Sequence, residues 1–285
     1  MNVTESRFKN RQLHIEDDLQ MVSAEQREYA EGFDCSKITE KSGVITDCWT
    51  NNILDLILRK ENLNKAYRQV KSNKGSGGID GMQVDEFLPC LRENQETLIQ
   101  KIRDGKYKPN PVRRVEIPKE TKGEFRKLGV PAVVDRVMQQ AITQELTPIY
   151  EEQSLGNSYG FRPNRGAHNA LRQCQKNVND GYVYVVDMDL EKFFDTVSQS
   201  KLLEALSRTI KDGGVISLIH KCLNAGVIAK GMFERTETGT PQGGPLSPLL
   251  SNVMLNELDK ELESRGHRYV RYADDCAPRR RVQVA

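Results

Sequence analysis

Two short runs of β-branched and aromatic residues each lead into paired acidic side chains. Tyr182-Val-Tyr-Val-Val186 runs into Asp187 and Asp189, and Tyr269-Val-Arg-Tyr-Ala273 runs into Asp274-Asp275. Residues two apart on an extended chain share a face, so Asp187 and Asp189 point the same way while the strand lasts. Between these runs apolar residues recur at helical spacing: Leu202, Leu203, Leu206 and Ile210, then Leu249, Leu250, Val253, Met254 and Leu258. Strands and amphipathic helices therefore both occur along this part of the chain.

Composition narrows the class. The 285 residues are 37% apolar and 29% charged, polar for a globular chain but sufficient for one or two cores, which excludes collagen-like and fully disordered classes. No run approaches the roughly 18 apolar residues of a spanning helix. The opening Met1-Asn-Val-Thr-Glu-Ser-Arg-Phe-Lys9 has no apolar signal stretch, so a cytoplasmic protein without a membrane partner is expected. The six cysteines (35, 48, 90, 174, 222 and 276) are scattered without a C-x-x-C pair and read as reduced thiols, not a structural metal site. The net charge of +2 is unevenly spread: residues 1–60 sum to −3, whereas 101–130 carry ten basic and four acidic side chains. A basic stretch threaded with Tyr107, Pro109, Pro111, Pro118 and Phe125 can follow a phosphate backbone, although charge alone also describes a solvated hairpin.

The first 50 residues show little apolar periodicity and are expected to form a flexible tail. Helices begin with Ile53, Leu54, Ile57 and Leu58, followed by Leu63, Ala66, Tyr67 and Val70. The glycine-rich Gly75–Gly81 segment lacks the Lys-Ser/Thr ending of a nucleotide-binding loop and reads as a turn. Val112–Pro118 and Phe125–Pro131 form two strands around a Thr121-Lys-Gly turn, lined by basic residues including Arg113, Arg114 and Arg126. Val133, Val137 and Ala141, interleaved with Val134, Met138 and Ile142, predict a long helix reaching Tyr150. The continuous apolar run 182–186 predicts a buried strand.

Adjacent carboxylates at a strand end repel one another, and a divalent cation relieves that repulsion while gaining hard oxygen ligands. Two Mg²⁺ ions about 3.5–4 Å apart can clamp the attacking and leaving oxygens of a phosphoryl transfer. An isolated Asp-Asp pair is weak support, since Asp17-Asp18 occurs in the polar tail. The strand contexts strengthen it, as does Thr240-Pro-Gln-Gly-Gly-Pro-Leu-Ser-Pro248 between the two sites. There glycines permit close backbone approach and Gln242 offers a hydrogen-bonding side chain.

In order, Asp189-Leu-Glu-Lys-Phe-Phe-Asp195, Pro241-Gln-Gly-Gly-Pro-Leu-Ser-Pro-Leu-Leu-Ser-Asn252 and Tyr272-Ala-Asp-Asp275 resemble the A, B and C motifs of reverse transcriptases. Tyr159-Gly-Phe-Arg-Pro-Asn-Arg-Gly-Ala-His168, Ile117-Pro-Lys with Arg126-Lys-Leu-Gly-Val-Pro131, and Asn256-Glu-Leu-Asp-Lys-Glu-Leu262 resemble proteins encoded by bacterial group II introns. The resemblance implies a right-hand polymerase fold with an N-terminal extension and fingers over 51–180 and a partial palm over 181–285. It implies an α+β fold with an antiparallel palm sheet and packed helices, while the thumb that the family carries after the palm is expected to be absent. It further implies RNA-directed DNA synthesis with two Mg²⁺ ions, intron RNA as template, a DNA or RNA primer, and deoxynucleoside triphosphates. Carried over by position, Asp189, Asp274 and Asp275 are the catalytic, metal-binding carboxylates. The Leu190 carbonyl is an added ligand, and Asp187 is the alternative within its strand. Phe194, or else Phe193, is the aromatic residue that excludes a 2′-hydroxyl. Gln242 lies by the nucleotide, Lys119 and Arg126 hold the triphosphate, and Arg113, Arg114, Arg162 and Arg165 are nucleic-acid contacts. Structural pairing is the equal alternative for Arg162 and Arg165.

In the family an apolar strand returns after the acidic pair. Here Pro278 and the arginines 279–281 suit a buried strand poorly, so that strand is not expected and the chain reads as truncated. The alternatives are an intron-RNA-binding splicing cofactor of maturase type, or an inactive truncated gene product.

Overall fold

The computed structural model describes residues 52–118, 125–190 and 192–280. The tail 1–50 and the Thr121 turn lie outside the described residues. Helices α1 (Ile53–Ile57), α2 (Lys60–Ser72) and α3 (Phe87–Arg103) precede a hairpin of β1 (Val112–Pro118) and β2 (Phe125–Val130). Next come α4 (Val133–Gln153), α5 (Ala167–Asn179), β3 (Tyr184–Val185), α6 (Phe193–Thr196), α7 (Gln199–Thr209) and α8 (Gly213–Leu223). A second hairpin, β4 (Val227–Ala229) and β5 (Met232–Glu234), leads to α9 (Ser247–Ser264), β6 (Arg268–Tyr272) and β7 (Asp275–Arg280). Two compact units interleave along the chain. One runs to Ser154 and resumes over Leu190–Glu257; the other takes Leu155–Asp189 and continues from Leu258.

In the first unit the periodicity of α4 buries Val133, Val137, Met138, Ala141, Ile142 and Leu146. Each of the Val, Met, Ile and Leu side chains among them contributes about 1.5–3 kcal/mol of transfer free energy. Several polar groups buried with them are paired. Asn62 of α2 donates to the carbonyls of Ile57 and Ala141, and Gln144 of α4 donates to the carbonyl of Asn62. Asp135, in the first turn of α4, accepts from the Tyr107 hydroxyl and the Asn110 N–H. Burial pushes its carboxyl up to about 6, against the lowering effect of those two donors. Asp212 caps α8 by accepting from Gly214 and Val215, and its other oxygen accepts the Leu54 N–H of α1. The expected basic hairpin forms with Arg113 opposite Val130 and Pro118 opposite Phe125. It extends to a four-stranded sheet, β2-β1-β4-β5, through parallel pairing of β1 with β4.

The second unit holds an antiparallel sheet of order β3-β7-β6. Tyr159, Ala170 and Val270 form its small core, with Cys174 and Tyr272 packed against it. Two expectations are corrected here. The returning strand exists: β7 pairs with β6 from Tyr272↔Asp275 to Arg268↔Arg279. Pro278 is tolerated because its hydrogen-bonding side faces β3, where its carbonyl accepts from Val186 at 3.0 Å and only one donor is lost. Of the arginines, Arg279 and Arg280 fall at the far end of the sheet, opposite Val185 and Tyr184, and Arg281 lies outside the described residues. The run 182–186, expected to be buried, is instead an edge: Val183, Tyr184, Val185 and Val186 are 49–61% exposed. An apolar run of this length is consistent with strands covered on both faces but does not require it.

Candidate active site

The pairing of β3 with β7 decides where the acidic residues lie. Val185 stands opposite Arg279, and beyond the strand proper Met188 exchanges two hydrogen bonds with Cys276. One step further in that register, Asp189 stands across from Asp275, and Asp187 shares its face by the two-residue repeat. Asp274 occupies the β6–β7 turn, after Ala273, whose φ of 55° is in the left-handed region. Burial raises the Asp275 carboxyl above its ordinary range, and the negative charges of Asp274, Asp189 and Asp187 raise it further. Four carboxylates from two separate sequence regions thus gather at one end of this sheet.

These hard oxygen donors fit a divalent cation, which would offset the repulsion felt by Asp275. Among the described residues no three acidic, thiol or imidazole side chains are already arranged to hold a metal ion. Mg²⁺ keeps several waters and is usually held by one or two carboxylates together with substrate phosphates.

The acidic turn is braced from beneath by groups that sequence reasoning did not single out. Arg271 of β6 is 1% exposed, and Asp259 of α9 is fully buried. The Arg271 Nε and Nη2 donate to the two Asp259 oxygens at 2.8 and 2.6 Å, and Nη2 also donates to Ser158 Oγ at 2.7 Å. Nη1 donates to the Ala273 carbonyl at 2.8 Å. Gly160 lies against the Ala273 backbone so closely that a Cβ there would collide with the Ala273 nitrogen. The readable signal was a charge inside an otherwise apolar strand, Tyr269-Val-Arg-Tyr-Ala273, which must find a partner if buried.

In the same unit Arg162 is 6% exposed and donates to the Leu155 and Ser158 carbonyls. Arg165 donates to the Gly156 and Ser158 carbonyls and lies over the Tyr159 ring.

The remaining candidates belong to the first unit, where a chain of backbone contacts joins three of them. The Phe194 carbonyl accepts the Thr240 N–H, and the Gln242 carbonyl accepts the Gly129 N–H of β2 at 2.6 Å. Gly243, with φ of 107°, packs on Gly129, three residues from Arg126. Phe193 is buried and meets the half-buried Phe194 edge to face, so the core claims one ring of the pair and leaves the other partly open. The Leu190 carbonyl accepts the Phe193 N–H. Arg113 donates to Ser76 and the Gly77 carbonyl, pinning the glycine-rich turn to β1, and Arg114 pairs with Glu234 of β5 at 2.9 Å. Lys119 lies outside the described residues.

Residues 117–277 match the model of the reverse transcriptase (RNA-dependent DNA polymerase) family. The chain belongs to the reverse transcriptase family. It is 40% identical over 219 residues to protein YkfC of Escherichia coli (strain K12), covering 75% of this chain and 57% of that protein. It is 38% identical over 204 residues to the group II intron-encoded protein LtrA of Lactococcus lactis subsp. cremoris, covering 72% of this chain and 34% of that one. This reverse transcriptase chain therefore spans between a third and three fifths of the length of these relatives. A chain of a partial Cas6-RT-Cas1–Cas2 complex shares the fold, with a TM-score of 0.54 at 24% identity over 81% of this chain and 38% of that one. Among the described residues no helix is long and apolar enough to cross a membrane.

Proposed function

We propose that this chain performs RNA-directed DNA synthesis for a group II intron, copying intron RNA from a DNA or RNA primer with deoxynucleoside triphosphates, in the cytoplasm. The observation that carries this reading is the gathering of Asp187, Asp189, Asp274 and Asp275 at one end of the β3-β7-β6 sheet, where burial and then the other three charges raise the Asp275 carboxyl. Asp189, Asp274 and Asp275, with the Leu190 carbonyl, are the proposed holders of two Mg²⁺ ions. Bound there, the ions would supply positive charge against the primer 3′-oxygen and the departing pyrophosphate.

The other roles fall to the chain's own side chains. Arg126 and Lys119 hold the triphosphate and offset charge on the leaving group. Phe194, partly open beside its buried neighbour, is proposed to exclude a 2′-hydroxyl, and Gln242 to hydrogen-bond near the nucleotide. Arg113, Arg114 and Arg165 are proposed nucleic-acid contacts. For Arg162, with its buried guanidinium on two carbonyls, the geometry supports the structural alternative. We place the fingers and N-terminal extension over 51–180 and a partial palm over 181–285.

Primer extension on an RNA template tests the proposal, with Asp189→Ala and Asp274→Ala beside the wild type. Extension by the wild type and its loss in both variants is the expected result; equal extension by all three contradicts it. Retention of intron RNA binding by Asp274→Ala would support a separate role as a splicing cofactor.

A further inference from the structure

We infer that Arg271, held by Asp259 and Ser158, is a positioning residue that sets the acidic turn for metal binding. This rests on the reading of Asp274 and Asp275 as metal ligands. A buried ion pair alone is weak support for any role, because apolar side chains of similar volume can often replace it. The disposition of the remaining donors is what favours a role here. The guanidinium satisfies both Asp259 oxygens and Ser158 Oγ, and sends Nη1 to the carbonyl of Ala273, the residue immediately before Asp274.

Ala273 needs holding. Its φ of 55° is a conformation that non-glycine residues adopt only when their surroundings over-determine it. Two contacts do so: Arg271 grips the Ala273 carbonyl, while Gly160 closes against the Ala273 nitrogen and α-carbon. The backbone of Ser158 and Tyr159 is itself tied to β6, since the Arg271 N–H donates to the Asn157 carbonyl and the Arg271 carbonyl accepts from Tyr159. The two sides of the brace are therefore one structure. With Ala273 fixed, the directions in which Asp274 and Asp275 leave the turn are fixed too.

A planar fork is required for this set of bonds. Lysine keeps the charge but cannot serve two carboxylate oxygens, a hydroxyl and a carbonyl from one plane. Supporting residues around a metal site that orient its ligands typically change affinity or activity by about 10–100-fold when altered.

The test measures Mn²⁺ binding by electron paramagnetic resonance in the wild type, Arg271→Lys, Ser158→Ala and Asp274→Ala, with fold checked by circular dichroism. Arg271→Lys and Ser158→Ala are expected to bind Mn²⁺ about 10–100-fold more weakly. In primer extension kcat falls while KM for the nucleotide holds. Ser158→Ala removes one hydroxyl and decides the matter should Arg271→Lys fail to fold. Unchanged Mn²⁺ affinity in the folded variants, with Asp274→Ala losing the ion, overturns the positioning role alone. Mn²⁺ binding by Asp274→Ala as tight as wild type overturns the metal reading, and the positioning role with it.

Discussion

Asp187 and Asp189 differ in what surrounds them in the chain more than in chemistry. Both are exposed and share a face, yet the register sets Asp189 across from Asp275. Asp189→Asn is therefore expected to lower nucleotide incorporation by about 10²–10³-fold, the scale on which a single transition-state charge stabiliser counts. Asp187→Asn removes only a repelling neighbour and leaves most of the rate. Single-turnover incorporation measures the difference. Arg162 makes the opposite kind of prediction. Arg162→Ala leaves the Leu155 and Ser158 carbonyls without these donors and is expected to cost about 1–3 kcal/mol in a denaturant titration. The salt dependence of RNA binding should not change. The sequence showed Arg162 as a basic residue in a family-like string, and nothing in the string tells whether its guanidinium turns inward.

At the scale of elements, α4 carries a pH-sensitive anchor in its first turn. Asp135, buried and accepting from the Tyr107 hydroxyl and the Asn110 N–H, has its carboxyl raised by burial to about 6. A carboxyl raised on folding binds its proton more tightly in the folded state. Its contribution thus favours folding at acid pH and is lost as pH climbs from about 4 to about 6, a change of about 3 kcal/mol. The difference in stability between wild type and Asp135→Asn, followed by denaturation across that range, should show this slope. Asp212→Ala removes the cap of α8 together with the acceptor for Leu54, and about 1–2 kcal/mol is the expected loss in the same measurement.

Several elements were legible because their signals are local. The β1–β2 strands follow from a basic, β-branched pattern around a turn, and α4 follows from apolar residues repeating every fourth position. The failures came where the outcome depends on what lies alongside. Val183 to Val186 reads as a buried strand because an apolar run does not say how many layers cover it. Pro278 reads as a strand breaker because the sequence does not say which neighbour its missing N–H would have faced. Arg271 hid for a related reason: its partners Asp259 and Ser158 are remote in sequence, and only the packing of α9 and of the segment before α5 brings them together.

For the whole molecule, a net charge of +2 conceals a basic hairpin and a concentrated acidic end of one sheet. The proposed nucleic-acid contacts on β1 predict RNA affinity that falls steeply with salt, and Arg114→Ala should reduce the log–log slope by about one. The interleaving of the two units escapes a linear reading, since α9 passes from one to the other without a break in its pattern. The central claim is that the carboxylates on the β3-β7-β6 sheet are the seat of RNA-templated synthesis. It is tested most directly by single-nucleotide incorporation with Mg²⁺ on an RNA template, comparing wild type with Asp274→Ala. The account predicts incorporation by the wild type and a loss of at least about 100-fold in the variant; equal rates in the two would contradict it.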